Sequence, residues 1–311
     1  MGTIIRVDQL TKHFRDIKAV ENLSFTVEEG QVYGFLGQNG AGKSTTIRML
    51  LTLIQPTSGA IDIFGMDLKR HRKEILRQVG AIIERPDLYK YLTALENLRI
   101  FATMSGIKIS GKKLMDQLAM VGLEQRADSK VKTYSQGMKQ RLGIAIALVH
   151  DPKLIILDEP TNGLDPQGIA DIRNLILMLS REMNKTLLIS SHLLSEIELI
   201  ADSMLIIDKG KKLVEGRVND LFDPAETVVE LKTTNDAATV EKLSGSGFQE
   251  FVQGKRNGCV LLKLHRNRIP ELLRELVRME VNVISLHSKH SLEDYFLSLT
   301  TGQDHVEAFK N

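Results

Sequence analysis

Eight consecutive residues carry the densest chemistry in this sequence. Gly37-Gln38-Asn39-Gly40-Ala41-Gly42-Lys43-Ser44 fits the pattern G-x-x-x-x-G-K-[ST] at every position. Glycines at this spacing let a backbone wrap so that its N–H groups face phosphate oxygens. A helix opening directly after them adds its positive end to the same anion site. Lys43 is then placed to bridge the β- and γ-phosphates of a nucleotide, and Ser44 to ligate Mg²⁺, with Thr45 next in the same turn. The alternative is a glycine-rich turn before a helix. The flanks favour the phosphate reading: an apolar run, Val32–Leu36, precedes the loop, and helical spacing follows it.

A phosphate loop of this type needs a carboxylate for its metal. Leu154-Ile155-Ile156-Leu157-Asp158-Glu159 supplies one at the end of an apolar strand. Asp158 is the expected Mg²⁺ partner, directly or through water. Glu159, one residue on, is placed to orient an attacking water. Two solvated acids before a Pro160 turn are the alternative. Between these motifs lies Tyr134-Ser135-Gln136-Gly137-Met138-Lys139-Gln140, directly ahead of an apolar helical pattern. Ser135 can cap that helix, which would put its hydroxyl and the Gly137 N–H at a second positive, phosphate-binding end. Further on come Thr161-Asn162-Gly163-Leu164-Asp165 and Ser190-Ser191-His192. Asp165 before Pro166 reads as an N-cap with proline at the first helical position.

In this order the motifs resemble those of the ATP-binding subunit of ABC transporters, over roughly residues 3–217. Tyr33-Gly34-Phe35-Leu36-Gly37, Ile83-Glu84-Arg85-Pro86, Tyr134–Met138 and the terminal Ser291-Leu292-Glu293-Asp294-Tyr295-Phe296 make the chain similar to the bacitracin-type and lantibiotic-immunity branch of exporters. The resemblance implies an ATPase using ATP and Mg²⁺, working as a dimer in which Ser135 and Gly137 of each copy contact the nucleotide held by the other. It implies an integral membrane permease as partner, no nucleic acid, a peripheral place on the cytoplasmic face of the membrane, and a peptide antibiotic as cargo. By the same resemblance His192 donates to the γ-phosphate, and Glu84 stands where most of the family has a metal-sensing glutamine. A strand-end acid paired with Arg85 is the other reading of Glu84. Phe14 would stack on adenine, core packing being the alternative. Tyr89, Tyr91 and Leu92 would receive the membrane subunit, or else pack the helical arm onto the sheet. The signature departs from Leu-Ser-Gly-Gly-Gln in having Gln136 in place of the first glycine.

The elements that must hold these groups alternate between strand and helix. Strand-like Thr3–Leu10, Leu23–Val27, Ile61–Phe64, Gly80–Glu84, Thr186–Ser190 and Ser203–Asp208 are interleaved with helix-like Lys43–Thr52, Lys69–Val79, Gly137–Val149, Pro166–Met183 and Leu193–Ala201. Such alternation predicts an α/β fold with a mostly parallel sheet covered on both faces. Under the resemblance it is that of a P-loop NTPase of the ABC ATPase type. Residues 3–218 are the expected nucleotide-binding domain, with a helical arm over about 93–149 that is broken at Ser105–Lys113. Asp223-Pro224 marks a turn. After it the pattern reads β-α-β-β-α-β, a small α+β, ferredoxin-like accessory domain over 226–300. A helix over Ser291–Leu299 and a polar tail, Thr301–Asn311, complete the reading.

Composition narrows the alternatives. The 311 residues are 42% hydrophobic and 26% charged, with a formal net charge of +2. That is ordinary for a globular chain and too balanced to argue for nucleic acid. Cys259 is the single cysteine, which excludes an intrachain disulfide and a multi-cysteine zinc site. No apolar run approaches a membrane span of roughly 18 residues. The opening residues lack the order of a signal peptide, and Arg6 stands where a myristoylation motif wants serine or threonine. A non-transport ABC-type ATPase acting on a soluble macromolecule remains the alternative. Against it, the chain has one phosphate loop, and only 91 residues separate Lys43 from Ser135, too few for a long coiled-coil insertion. A GTPase would need Asn-Lys-x-Asp, and Asn184-Lys185-Thr186-Leu187 fails at its last position.

Overall fold

Period-2 alternation builds the first sheet. β1 (Thr3–Phe14) and β2 (Ile17–Glu28) pair antiparallel and turn Ile5, Val7, Leu10, Leu23, Phe25 and Val27 inward. β3 (Val32–Leu36) is buried at all five positions and leads through the glycine loop into α1 (Lys43–Leu50). β4 (Ser58–Ile63) and β5 (Met66–Asp67) return to the first sheet, giving the order β2-β1-β4-β5. α2 (Arg72–Leu76) and β6 (Val79–Ile82) follow. α3 (Ala94–Met104), α4 (Gly111–Met120) and α5 (Gln136–Leu148) form the arm. Next come β7 (Leu154–Asp158), α6 (Pro166–Arg181), β8 (Thr186–Ser191), α7 (Leu194–Glu198), β9 (Ser203–Asp208), β10 (Lys211–Arg217) and a short α8 (Val218–Leu221). This computed structural model describes residues 2–221, 226–256 and 258–290. They divide into two compact units, with the boundary between Val218 and Asn219.

The second sheet positions the chemistry. Its order is β10-β9-β3-β8-β7-β6, parallel throughout except for the antiparallel edge strand β10. Parallel strands need crossovers, which here are α1, the arm, α6 and α7, and this explains why their strands read as continuous apolar runs. The C-terminal ends of β3, β8, β7 and β6 lie side by side. Leu36 is level with Ser191, Asp158 with Ser190, and Ile82 with Leu157. Strands in such a ladder are spaced by about 4.8 Å, so the segments leaving these four ends share one edge of the sheet. The arm packs closely against this sheet through α5. A Cβ added to Gly80 on β6 would meet the Ala147 carbonyl oxygen at 2.2 Å.

The departures from the sequence pattern have local causes. The strands do not form one sheet: β1, β2, β4 and β5 make a separate antiparallel one. β10 is missed because an edge strand of Lys211, Lys212, Glu215 and Arg217 has no apolar alternation. The helix expected over Lys69–Val79 shrinks to α2, whose approach is taken by β5 and the turn after it, where Arg70 N bonds to Asp67 Oδ1 at 2.8 Å. Likewise α7 is shorter than the expected Leu193–Ala201.

The second unit runs β11 (Glu226–Thr233), α9 (Asp236–Ser244), β12 (Val252–Arg256), β13 (Cys259–His265), α10 (Ile269–Arg278) and β14 (Val283–His290). Its sheet is antiparallel throughout, in the order β12-β13-β11-β14. Val229, Leu231, Val260, Leu262 and Leu264 face Leu243, Leu272 and Leu276 in a core of its own. A turn of 3₁₀ helix over Gln249–Phe251 precedes β12, which starts at Val252. Cys259 is half-buried at the start of β13, not fully enclosed. The helix expected over Ser291–Leu299 and the Thr301–Asn311 tail lie outside the described residues.

One buried group ties stability to pH. Tyr33 on β3 is enclosed, and its hydroxyl donates to Glu215 Oε1 at 2.8 Å. Burial, and then the Glu215 charge, push the phenol well above its ordinary value. An unfolded tyrosine loses its proton near pH 10. Above that pH the unfolded chain ionises while folded Tyr33 does not, so the contribution present below pH 10 is lost as pH rises. Urea midpoints should therefore fall between pH 9 and 11. The fall should be shallower in Tyr33→Phe, and equal slopes would contradict the assignment.

Candidate active site

The glycine loop leaves the buried strand β3 and is held from behind. Ala41 N bonds to Gln38 O at 3.1 Å, and Gly210 N bonds to Ala41 O at 2.9 Å. Gly42, the residue ahead of α1, has φ 109°, and a Cβ there would stand 2.6 Å from the Ala19 carbonyl oxygen. Gly40 has φ 84° and faces open space. Gln38, Asn39 and Gly40 are exposed, whereas Gly37 and Ala41 are buried. Ser44 and Thr45 stand half-buried in the first turn of α1, which carries no acidic residue. The positive helix end is therefore uncompensated by its own side chains.

Lys43 is the charge around which the site is arranged. It is 5% exposed, and its Nζ donates to Gly37 O at 2.6 Å and Gln38 O at 3.3 Å. Glu159 Oε1 lies 3.2 Å from the same ammonium. That approach lacks hydrogen-bond geometry, so Oε1 has no hydrogen-bond donor among the described residues. The other oxygen, Oε2, is 2.7 Å from His192 Nδ1. Glu159 therefore stands between a cation on the β3 side and an imidazole on the β8 side. Its backbone is left-handed, φ 51°, an uncommon state for a non-glycine residue that turns its side chain off the strand line.

Ser190, unmarked within Ser190-Ser191-His192, links the two acids. Its hydroxyl donates to Asp158 Oδ1 and accepts from Glu159 N at 2.9 Å, so one side chain orients both acids. Asp158 is 1% exposed, and its second oxygen, Oδ2, is buried without a partner among the described residues. An unpartnered buried carboxylate oxygen is costly in free energy unless a cation meets it. No group of three or more His, Cys, Asp or Glu forms a complete cage among the described residues. The donor set fits a hard ion that keeps water and ligand phosphates in its shell, as Mg²⁺ does. Ser44 and Asp158 are the groups that would hold it.

The remaining expected residues divide. Glu84 leaves β6 and pairs with Arg48 of α1, not with Arg85. Phe14 ends β1 as an exposed residue, with Lys12 Nζ 4.8 Å from its ring centroid, so core packing does not account for it. Ser135 caps α5 by accepting from Met138 N at 3.2 Å, and Gly137 lies in the first turn. Neither follows a strand of the parallel sheet, so within one chain these two belong to the arm, apart from the strand-end group. Gln136 Nε2 approaches Asn162 O at 3.4 Å, joining the signature to the segment after Glu159. Asp165 caps α6 by accepting from Gly168 N at 3.0 Å. Tyr89 and Tyr91 are exposed, and buried Asn97 holds the Tyr89 backbone through bonds of 2.9 and 3.1 Å. Asn97 was invisible in the sequence, since an asparagine in an apolar helical pattern carries no mark of its partner.

Comparison with known proteins gives a consistent result. The family model described as ABC transporter matches residues 20–162. The bacitracin transport ATP-binding protein BcrA of Bacillus licheniformis is 44% identical over 97% of this chain and 99% of its own length. The lantibiotic transport ATP-binding protein SrtF of Streptococcus pyogenes is 42% identical over 73% of this chain and 95% of its own. Among solved structures, a dimeric ATP-binding cassette in a post-hydrolysis state with ADP and Pi superposes with a TM-score of 0.62. It is 26% identical and covers 69% of this chain and 99% of its own.

Ser190→Ala would leave Asp158 Oδ1 without its donor and the Glu159 N–H with only its longer bond to Ser190 O, 3.3 Å. The expected cost is about 1–3 kcal/mol of folding stability. Urea denaturation of the full chain checks it, and an unchanged midpoint would count against the bridging role.

Proposed function

This chain belongs to the ABC transporter family, and from that premise we propose how its residues power export and of what. It is the ATP-binding, ATP-hydrolysing subunit of an exporter, and the membrane path is supplied by a permease partner. No helix among the described residues is long and apolar enough to cross a membrane, in keeping with peripheral association. We place it on the cytoplasmic face as a homodimer. In that dimer Ser135 and Gly137, displayed on the arm, complete the nucleotide site of the second copy.

The observation that carries the mechanism is Glu159 held between Lys43 and His192. Phe14 offers a ring face to adenine. Gly37, Gln38, Asn39, Gly40, Ala41, Gly42 and Thr45 cradle the phosphates. A γ-phosphate at the loop is a stronger acceptor for Lys43 Nζ than the Gly37 carbonyl, because a charge-assisted bond outweighs a neutral one. Drawing Lys43 toward phosphate lowers its hold on Glu159 Oε1, whose lone pairs then accept a proton from the attacking water. The water oxygen bonds the γ-phosphorus as the bond to the β-phosphate oxygen breaks, releasing ADP. His192 holds Oε2 on the opposite side, fixing the direction in which Oε1 points, and its second ring nitrogen is left for the phosphate. Ser44 and Asp158 would hold Mg²⁺, with Glu84 as a third candidate ligand, and the ion would supply charge neutralisation at the phosphates. Glu159→Gln keeps the shape of this arrangement and removes the base. Steady ATP turnover should fall about 10²–10⁴-fold. Turnover within twofold of wild type, measured by phosphate release, would reject the role.

The cargo we propose is a peptide antibiotic of the bacitracin kind. Two matches support it. The bacitracin transport relative aligns over nearly all of both chains, whereas the lantibiotic transport relative leaves about a quarter of this chain without a counterpart. The protein produced with its permease in a sensitive host should raise bacitracin tolerance, and Lys43→Ala should abolish the gain. Tolerance that rises equally with the Lys43 variant would show that ATP-driven efflux is not the cause.

A further inference from the structure

Glu84, two residues past the end of β6, has φ 60°, a left-handed backbone state that non-glycine residues seldom adopt. From that turn its carboxylate reaches α1, where its partner is the guanidinium of Arg48. Arg48 stands four residues after Ser44 in the same helix, so the two side chains lie on one helix face, one turn apart, with about 5–6 Å between their Cβ atoms. The ion pair therefore ties Glu84 to the helix, and to the helix face, that carries the hydroxyl assigned to Mg²⁺.

We propose that Arg48 is the positioning residue for Glu84 and sets the site's affinity for its divalent cation, because guanidinium and metal compete for one carboxylate. The inference rests on the metal role given above to Ser44, Asp158 and Glu84. The two side chains are 41% and 63% exposed, so water and salt screen the pair and keep it weak. A weak pair is what such exchange requires. It keeps the carboxylate near the metal position and neutralises it beside the phosphates, yet yields to a doubly charged ion. A neutral glutamine at this position would form no ion pair with Arg48, and the competition would vanish.

The test is equilibrium binding of Mn²⁺, used as a probe for Mg²⁺, to the full chain with a non-hydrolysable ATP analogue. Free Mn²⁺ is followed by electron paramagnetic resonance. Arg48→Ala should tighten Mn²⁺ binding about two- to fivefold, the range set by an exposed ion pair, and Arg48→Lys should stay near wild type. Removing the Arg48 charge also alters the field at the phosphates, and the Glu84→Gln background separates that effect: there Arg48→Ala should cause no tightening. Unchanged binding in Arg48→Ala, or an equal shift in both backgrounds, would overturn the proposal. Mn²⁺ uptake that Asp158→Asn leaves unaltered would instead reject the metal site itself, and the inference would fall with it. Both positions are exposed, and matching thermal midpoints among the variants verify that folding is intact.

Discussion

A buried ammonium between a glycine loop and a half-buried carboxylate is the constraint on which the first unit depends. Taking Lys43, Asp158 and Glu159 out of water is unfavourable by several kcal/mol per ion unless each finds a partner. The fold provides them locally: loop carbonyls and Glu159 for Lys43, His192 for Glu159, Ser190 for Asp158. Hydrogen bonding is incomplete at two of their atoms, Asp158 Oδ2 and Glu159 Oε1. These are the atoms that the proposed chemistry uses, one toward a cation and one toward water. Stability and reactivity are thus set by the same few bonds.

The parallel sheet explains why such a group can exist. Its strands are buried on both faces and end together, so residues far apart in sequence arrive within one ladder spacing of each other. Leu36 and Ser191 are level on adjacent strands, as are Asp158 and Ser190. The strands need only be apolar and of similar length. The chemistry is carried by the residues just past their ends, where backbone direction is free to change. Glu84 and Glu159 both take left-handed backbone states there, which turns each carboxylate out of the strand direction. The arm packs on the same sheet edge at β6, so the capped helix α5 is held against the framework that carries Glu84.

The second unit is a different solution to burial. It has its own core and a four-stranded antiparallel sheet. No cluster of three or more His, Cys, Asp or Glu gathers among its described residues. The lantibiotic transport relative spans 95% of its own length within 73% of this chain, whereas the bacitracin transport relative matches almost end to end. Transport ATP-binding proteins of this family therefore occur at both lengths.

Much of the site was legible from residue order alone. The loop motif, the acidic strand end, the Ser135 cap and the Asp165 cap each depend on contacts within a few residues, and short-range geometry is what a sequence pattern encodes. The apolar runs likewise fixed the buried parallel strands, because a strand covered on both faces has no polar positions to confuse it. Edge strand β10 and the short β5 escaped, since their stability comes from neighbours and not from their own apolar content. The pairing of Glu84 with Arg48 over the adjacent Arg85, the Ser190 bridge between two acids, and the Asn97 anchor under Tyr89 were decided by tertiary structure alone. Each joins atoms brought together by a crossover or a turn, and the partner of a polar side chain is chosen by distance in space, which a linear pattern does not carry.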